Sequence, residues 1–182
     1  MLTSPDSALI ATNSLDALIL DPQPAETRQR LLRFPLGSQD SALLPLEQIT
    51  EILRIGVTDI LPVPEMPGCV LGICNWRGDM LWLIDLNDLV SSIPLFELEP
   101  GVVSLMVVVV QINGQSVGLG LPQVHDIELH DLERLQPVAP GLFSPQLQPF
   151  VLGTLPEVDG AVLNLAAIAQ CPLWQRNIGG DT

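Results

Sequence analysis

Three cysteines (Cys69, Cys74, Cys171) and two histidines, each followed by an aspartate (His125-Asp126 and His130-Asp131), are the side chains that could attack, chelate or shuttle protons. None falls into a spacing that chemistry favours. The cysteines form no metal or redox signature, and three is an odd number for a disulfide framework, so reduced and buried thiols are expected. Cys74 lies in an apolar stretch where burial raises a thiol pKa, and no base adjoins it. The histidines stand five apart, which places their imidazoles on one face of neither a strand nor a helix, so they are read as surface polar residues. There is no Gly-x-Ser-x-Gly, phosphate loop or dinucleotide fingerprint. No catalytic residue, metal ligand or cofactor is therefore assigned. A small enzyme built on Cys74 or His125 is the competing reading from another class.

More suggestive is the cluster Asn75-Trp76-Arg77-Gly78. A guanidinium pairs bidentately with carboxylates, and Trp and Arg are enriched among residues that dominate interfaces. Asn75 and Gly78 are read as turn chemistry, since both residue types tolerate unusual backbone angles. Trp76 and Trp82 either form an outward apolar patch or fill the core. Asp85 is expected to cap the turn or helix that follows it, because no second carboxylate or His accompanies it for acid–base work.

Whatever these residues do, they sit in an acidic, apolar chain. The formal net charge is −14, all seven basic residues are Arg, and 47% of residues are hydrophobic while aromatics make up 4%. Such a chain repels phosphate backbones and anionic headgroups, so neither nucleic acid nor direct membrane insertion is expected. The longest apolar run, 102–110, is too short to span a bilayer, and the acidic N-terminus lacks the positive region of a secretory signal. A cytoplasmic location is expected.

The elements read as short strands between turn signals, which argues for an all-β barrel or sandwich. Strands are expected at 30–36, 42–46, 48–53, 69–76, 80–84, 102–112, 115–121, 150–155 and 161–165. The pairs 69–76/80–84 and 102–112/115–121 are hairpins, the second turning on Asn113-Gly114, the strongest short hairpin signal. Residues 7–20 carry apolar positions at helical spacing (Leu9, Ile10, Leu15, Leu18, Ile19) before Pro22 and Pro24, so an N-terminal extension over 1–27 is expected, either loose or docked.

Internal repetition organises the rest. Residues 44–52 align with 119–127 at an offset of 75, Val70-Leu71-Gly72 with Val151-Leu152-Gly153 at 81, and Leu83 to Leu86 with Val162 to Leu165 at 79. Two copies of a five-stranded unit follow, roughly 28–100 and 101–170, too small to be stable apart and expected to share a core. A groove where they meet is a natural place for a partner.

The stretch from Pro64 to Leu86 resembles the CheW family. It has a proline lead-in (Pro64, Pro67), an apolar strand carrying Gly72, then Asn75-Trp76-Arg77-Gly78, then an apolar strand ending in Ile84-Asp85-Leu86. Val117-Gly118-Leu119 and a Val-x-x-Ile strand at 124–127 are similar to that family's second half. Two positions depart: Pro122-Gln123 replace an acidic residue, and Asn164 stands where the family often keeps Asp. The resemblance spans about 28–170, leaving a C-terminal tail at 171–182. It implies two five-stranded SH3-like β-barrels with interleaved strands and short helices. It further implies an adaptor joining a methyl-accepting chemoreceptor-like protein to the regulatory domain of a CheA-type histidine kinase, in chemotaxis, phototaxis or pilus-motility signalling.

Overall fold

The computed structural model describes residues 26–172. The amphipathic stretch at 7–20 and the tail from 173 onward lie outside the described residues.

Among the described residues are ten strands and three short α-helices. The first half supplies β1 (Arg28–Leu36), β2 (Asp40–Pro45), β3 (Ile49–Gly56), β4 (Val70–Trp76) and β5 (Asp79–Asp85), then α1 (Leu86–Ser91) and α2 (Leu95–Leu98). The second half supplies β6 (Ser104–Ile112), β7 (Gln115–Leu121), β8 (Ile127–Asp131), β9 (Val151–Thr154) and β10 (Ala161–Leu163), then α3 (Leu165–Ala169). The chain is mainly β, as its patterning predicts. One strand is displaced from its expected place. The segment 124–127 is irregular up to Asp126, and β8 begins at Ile127. His125 N–H and Asp126 carbonyl instead bond the backbone of Arg33, at 2.8 Å each.

The two sheets have the orders β8-β1-β2-β10-β9 and β3-β6-β7-β5-β4. Numbering the strands of each half from one to five, both sheets read 3-1-2-5-4. Each sheet takes its first two strands from one half of the chain and its last three from the other. The halves are thus interleaved. Both sheets contain one parallel pair, β10 with β2 and β5 with β7.

The period-2 alternation of strand side chains explains the packing. One face of the first sheet (Leu32, Phe34, Leu36, Leu44) and one of the second (Ile84, Val108, Val110, Leu119) meet in a single shared core. The opposite faces close two smaller cores. Leu31, Leu43, Leu155 and Val162 form one, and Cys74, Leu81, Leu83, Leu105, Val107 and Val109 the other. Neither sheet could bury its inner residues alone, which is why the two repeats fold together.

The repeat extends to fine detail. Leu61 and Ile73 exchange two backbone hydrogen bonds of 2.8 and 2.9 Å; Gln136 and Thr154 do the same at the same distances. Each bridge is possible because the adjacent strand carries glycine. A Cβ on Gly72 would stand 2.2 Å from the Leu61 carbonyl oxygen, and one on Gly153 2.6 Å from that of Gln136. Gly72 also has φ +138°, which other residues rarely adopt. Asp85 and Asn164, matched in the repeat, each cap a helix by accepting the N–H three residues on, at 3.1 Å in both cases.

Candidate functional site

The β4–β5 hairpin ends in the two-residue turn Arg77-Gly78, with φ of +54° and +88°. Both positive values define the tight turn whose twist suits a hairpin. Asn113-Gly114, with φ of +50° and +79°, builds the β6–β7 hairpin the same way. The unusual angles therefore belong to Arg77 and Gly78. Asn75 is not a positive-φ residue; its Oδ1 accepts the Gly78 N–H at 3.3 Å and steadies the turn from the strand.

Glu51, on β3, completes the cluster. Its Oε2 accepts the Trp76 indole N–H at 2.8 Å and pairs with an Arg77 guanidinium nitrogen at 3.0 Å. The guanidinium also lies 5.0 Å from the centroid of the Trp76 ring, within cation–π range. Arg77 is thus an exposed cation already oriented by an indole and a carboxylate. Trp76 is half-buried against the core of the second sheet, while Trp82, also half-buried, packs on the shared core. The two indoles do not form one patch.

Beside the turn lies an open groove of about 310 Å³ bordered by Leu61, Ile73, Asn75, Gly78 and Met80. Leu61 and Met80 are 62% and 64% exposed, unusual for large apolar side chains and typical of contact surfaces. A second groove of about 440 Å³ runs between the sheets, bordered by Gln48, Ile112, Asn113, Leu152 and Leu165. All of its lining but Gln48 comes from the second repeat, so the crevice lies between the sheets and not between the repeats.

Of the residues that could do acid–base work, Asp85 and His130 are otherwise engaged. Asp85 is buried, with Oδ1 on the Asp88 N–H and Oδ2 on the Leu95 N–H at 2.7 Å, so its carboxylate joins α1 to α2. Burial pushes its carboxyl above the ordinary aspartate value, with the amide bonds acting in opposition. Cys74 is buried, and desolvation raises its thiol. Desolvation, with Asp88 nearby, pushes Cys69 up to about 11. His125 is exposed. His130 departs from a loose surface residue: its Nε2 is 2.6 Å from Glu128 Oε2, and both are half-buried. Glu128 in turn pairs with Arg33, which also donates to Ser41 Oγ and the Asp159 carbonyl, each at 2.8 Å. The Arg33 hydrogen bond holds the Glu128 carboxyl below its ordinary value. This network fastens β8 onto β1 and β2. Among the described residues, no group of three or more His, Cys, Asp or Glu is placed to hold a metal ion.

Sequence reasoning missed Glu51 and the Leu61–Met80 groove. Glu51 is 26 positions from Arg77 and sits on β3, the opposite edge of the sheet from β4, so its contact with the hairpin arises only as the sheet closes on itself. No local signal marks it.

Comparison with known proteins points one way. The model of the CheW-like domain matches residues 30–171. A chemotaxis protein CheW of Rhizobium meliloti (strain 1021) is 28% identical over 140 residues, which are 77% of this chain and 84% of that protein. The crystal structure of the scaffolding protein TtCheW from Thermoanaerobacter tengcongensis superposes with a TM-score of 0.59 at 23% identity, covering 74% of this chain and 86% of that one.

Proposed function

Because the chain belongs to the CheW-like domain family, we propose that it joins the cytoplasmic tip of a chemoreceptor-like sensor to the regulatory domain of a CheA-type histidine kinase. The family is one of non-catalytic chemotaxis scaffolds, and the work of such a protein is geometric. It holds two partners so that the state of one biases the other, which requires a differential contact with each and no bond chemistry.

The observation that carries the reading is the preorganised hairpin tip. Arg77 is held by Trp76 and Glu51 in a turn whose next residue, Gly78, borders the groove of the exposed Leu61 and Met80. A cation fixed in place in the turn next to a groove that is apolar apart from Asn75 and Asp79 suits a partner with an apolar anchor and a nearby carboxylate, because little entropy is lost on docking. The inter-sheet groove offers a second, separate surface, as a bridging protein needs. No helix among the described residues is long and apolar enough to cross a membrane. The adaptor works in the cytoplasm, recruited to receptor arrays by contact.

The test is capture of the cognate kinase regulatory domain by the purified chain. The wild type retains it; Met80→Glu, which places a charge in the groove at an exposed position, releases it while the fold stays intact. Retention by Met80→Glu at wild-type strength would place the kinase contact elsewhere.

A further inference from the structure

The edge strand β8 carries two large apolar side chains in the open: Ile127 is 58% exposed and Leu129 45%. Register places Ile127 opposite Leu32 and Leu129 opposite Arg30, so both lie on the face that Leu32 contributes to the shared core. They extend that core past the point where the second sheet covers it. The repeat sharpens the anomaly. Ile52, the counterpart of Ile127 at the offset of 75, is half-buried against the shared core, whereas Ile127 is not. The outer edge of β8 pairs with no strand among the described residues, and an open apolar edge is what folded proteins ordinarily cover.

We propose that residues 7–20 of this same chain form the cover, seated on Ile127 and Leu129. Three observations select this occupant. The described chain starts at Glu26, and two residues later β1 is already paired with β8, Arg28 opposite Asp131. The segment is therefore tethered at the end of the strand it is to cover. Five residues, 21–25, suffice to span about 15 Å if extended, and fourteen residues would span about 21 Å if helical, more than the length of five-residue β8. Ala11, Leu15, Leu18 and Ile19 then fall on one helical stripe, matching an apolar strip.

Charge agrees. Residues 1–25 contain Asp6, Asp16 and Asp21 and neither Lys nor Arg. Arg30, on the same face as Leu129, is exposed and makes no ion pair among the described residues. In a chain of net charge −14, an unpaired arginine beside an apolar strip favours an acidic amphipathic segment. The proposal is independent of the kinase and receptor contacts, since β8 borders neither groove.

Two measurements on the full chain test it. The first is amide hydrogen exchange over residues 7–20 and 127–131, in the wild type and in Leu15→Asp/Leu18→Asp, whose changes lie outside the described fold. Protection at both segments, lost at least tenfold at both in the variant and independent of protein concentration, is the expected result. Equal exchange in the two proteins overturns the proposal, and protection that grows with concentration assigns the edge to a second copy instead. The second is mild oxidation of Leu18→Cys/Leu129→Cys, with Leu18→Cys/Val103→Cys as control, Val103 being 80% exposed at the N-terminal end of β6. A disulfide within one chain in the first protein and none in the control is expected. Cross-linked dimers, equal cross-linking in both or none in either contradicts the assignment.

Discussion

Replacing Arg77 by glutamate separates binding from folding, because the residue stands outside every core. Its ion pair with Glu51 spans 3.0 Å between side chains that are 63% and 34% exposed, so screening limits it to about 0.5 kcal/mol. The contact over Trp76 at 5.0 Å adds about 0.5–1 kcal/mol at such exposure. The positive φ at this position costs arginine and glutamate about alike, so the exchange leaves that strain unchanged. The expected loss of stability is about 1–2 kcal/mol, a fall in Tm of roughly 3–6 °C for a domain of this size. If the guanidinium anchors a partner carboxylate, binding weakens by at least about 2 kcal/mol, roughly thirtyfold. Calorimetric titration against the kinase regulatory domain, paired with a thermal melt, reads both. Binding within threefold of the wild type refutes the placement of the contact. A Tm fall well beyond 10 °C refutes the claim that the tip lies outside the fold.

The other predictions concern what holds the site in place. Asp85→Ala strands the amides of Asp88 and Leu95 and should cost about 2–4 kcal/mol in urea unfolding; an unchanged midpoint would remove the carboxylate from its joining role. The two perturbed carboxylates act in opposite directions with pH. Glu128, lowered by Arg33, contributes stability above its unfolded value of 4.5 that is lost as pH falls through the lowered one, so Glu128→Gln should flatten the acid limb of the stability profile. Asp85, raised by burial, makes its fullest contribution below 3.8 and loses it as pH rises through the raised value, so Asp85→Asn should reduce the decline on that side. Gly72→Ala drives a methyl into the Leu61 carbonyl and should cost about 3 kcal/mol or more, with Gly153→Ala behaving alike; a wild-type melt for either would contradict the shared bridge. Native Cys69 and Cys74 should resist thiol reagents at neutral pH and react only on unfolding, and rapid labelling of Cys74 would revive a nucleophilic role.

Much of the fold is legible in the residues themselves because its elements are local. Asn113-Gly114 and Arg77-Gly78 fix their hairpins through backbone angles that neighbouring residues do not dictate. The match of Leu83 to Leu86 with Val162 to Leu165 points to two equivalent strand–cap–helix units, and both Asp85 and Asn164 cap. The change to Asn at 164 keeps the side-chain oxygen that the cap needs. What the sequence leaves dark is set by distant pairing. Ile127 begins a strand only because Leu32 lies opposite, and the preceding Val124 to Asp126 follow β1 by two backbone bonds outside a regular ladder. Glu51 reaches Trp76 only because the two edge strands of the second sheet, β3 and β4, come together as it closes. The Leu61–Met80 groove arises where a proline-rich loop bridges an edge strand, a contact that depends on Gly72 and carries no periodicity.

The adaptor role is tested most directly by reconstitution. Membranes bearing the receptor are sedimented with the kinase in the presence and absence of the chain. The account predicts that the kinase sediments, and that its activity follows receptor state, only when the chain is added. Equal sedimentation with and without it, or none in either case, would contradict the claim that this protein works by holding the two together.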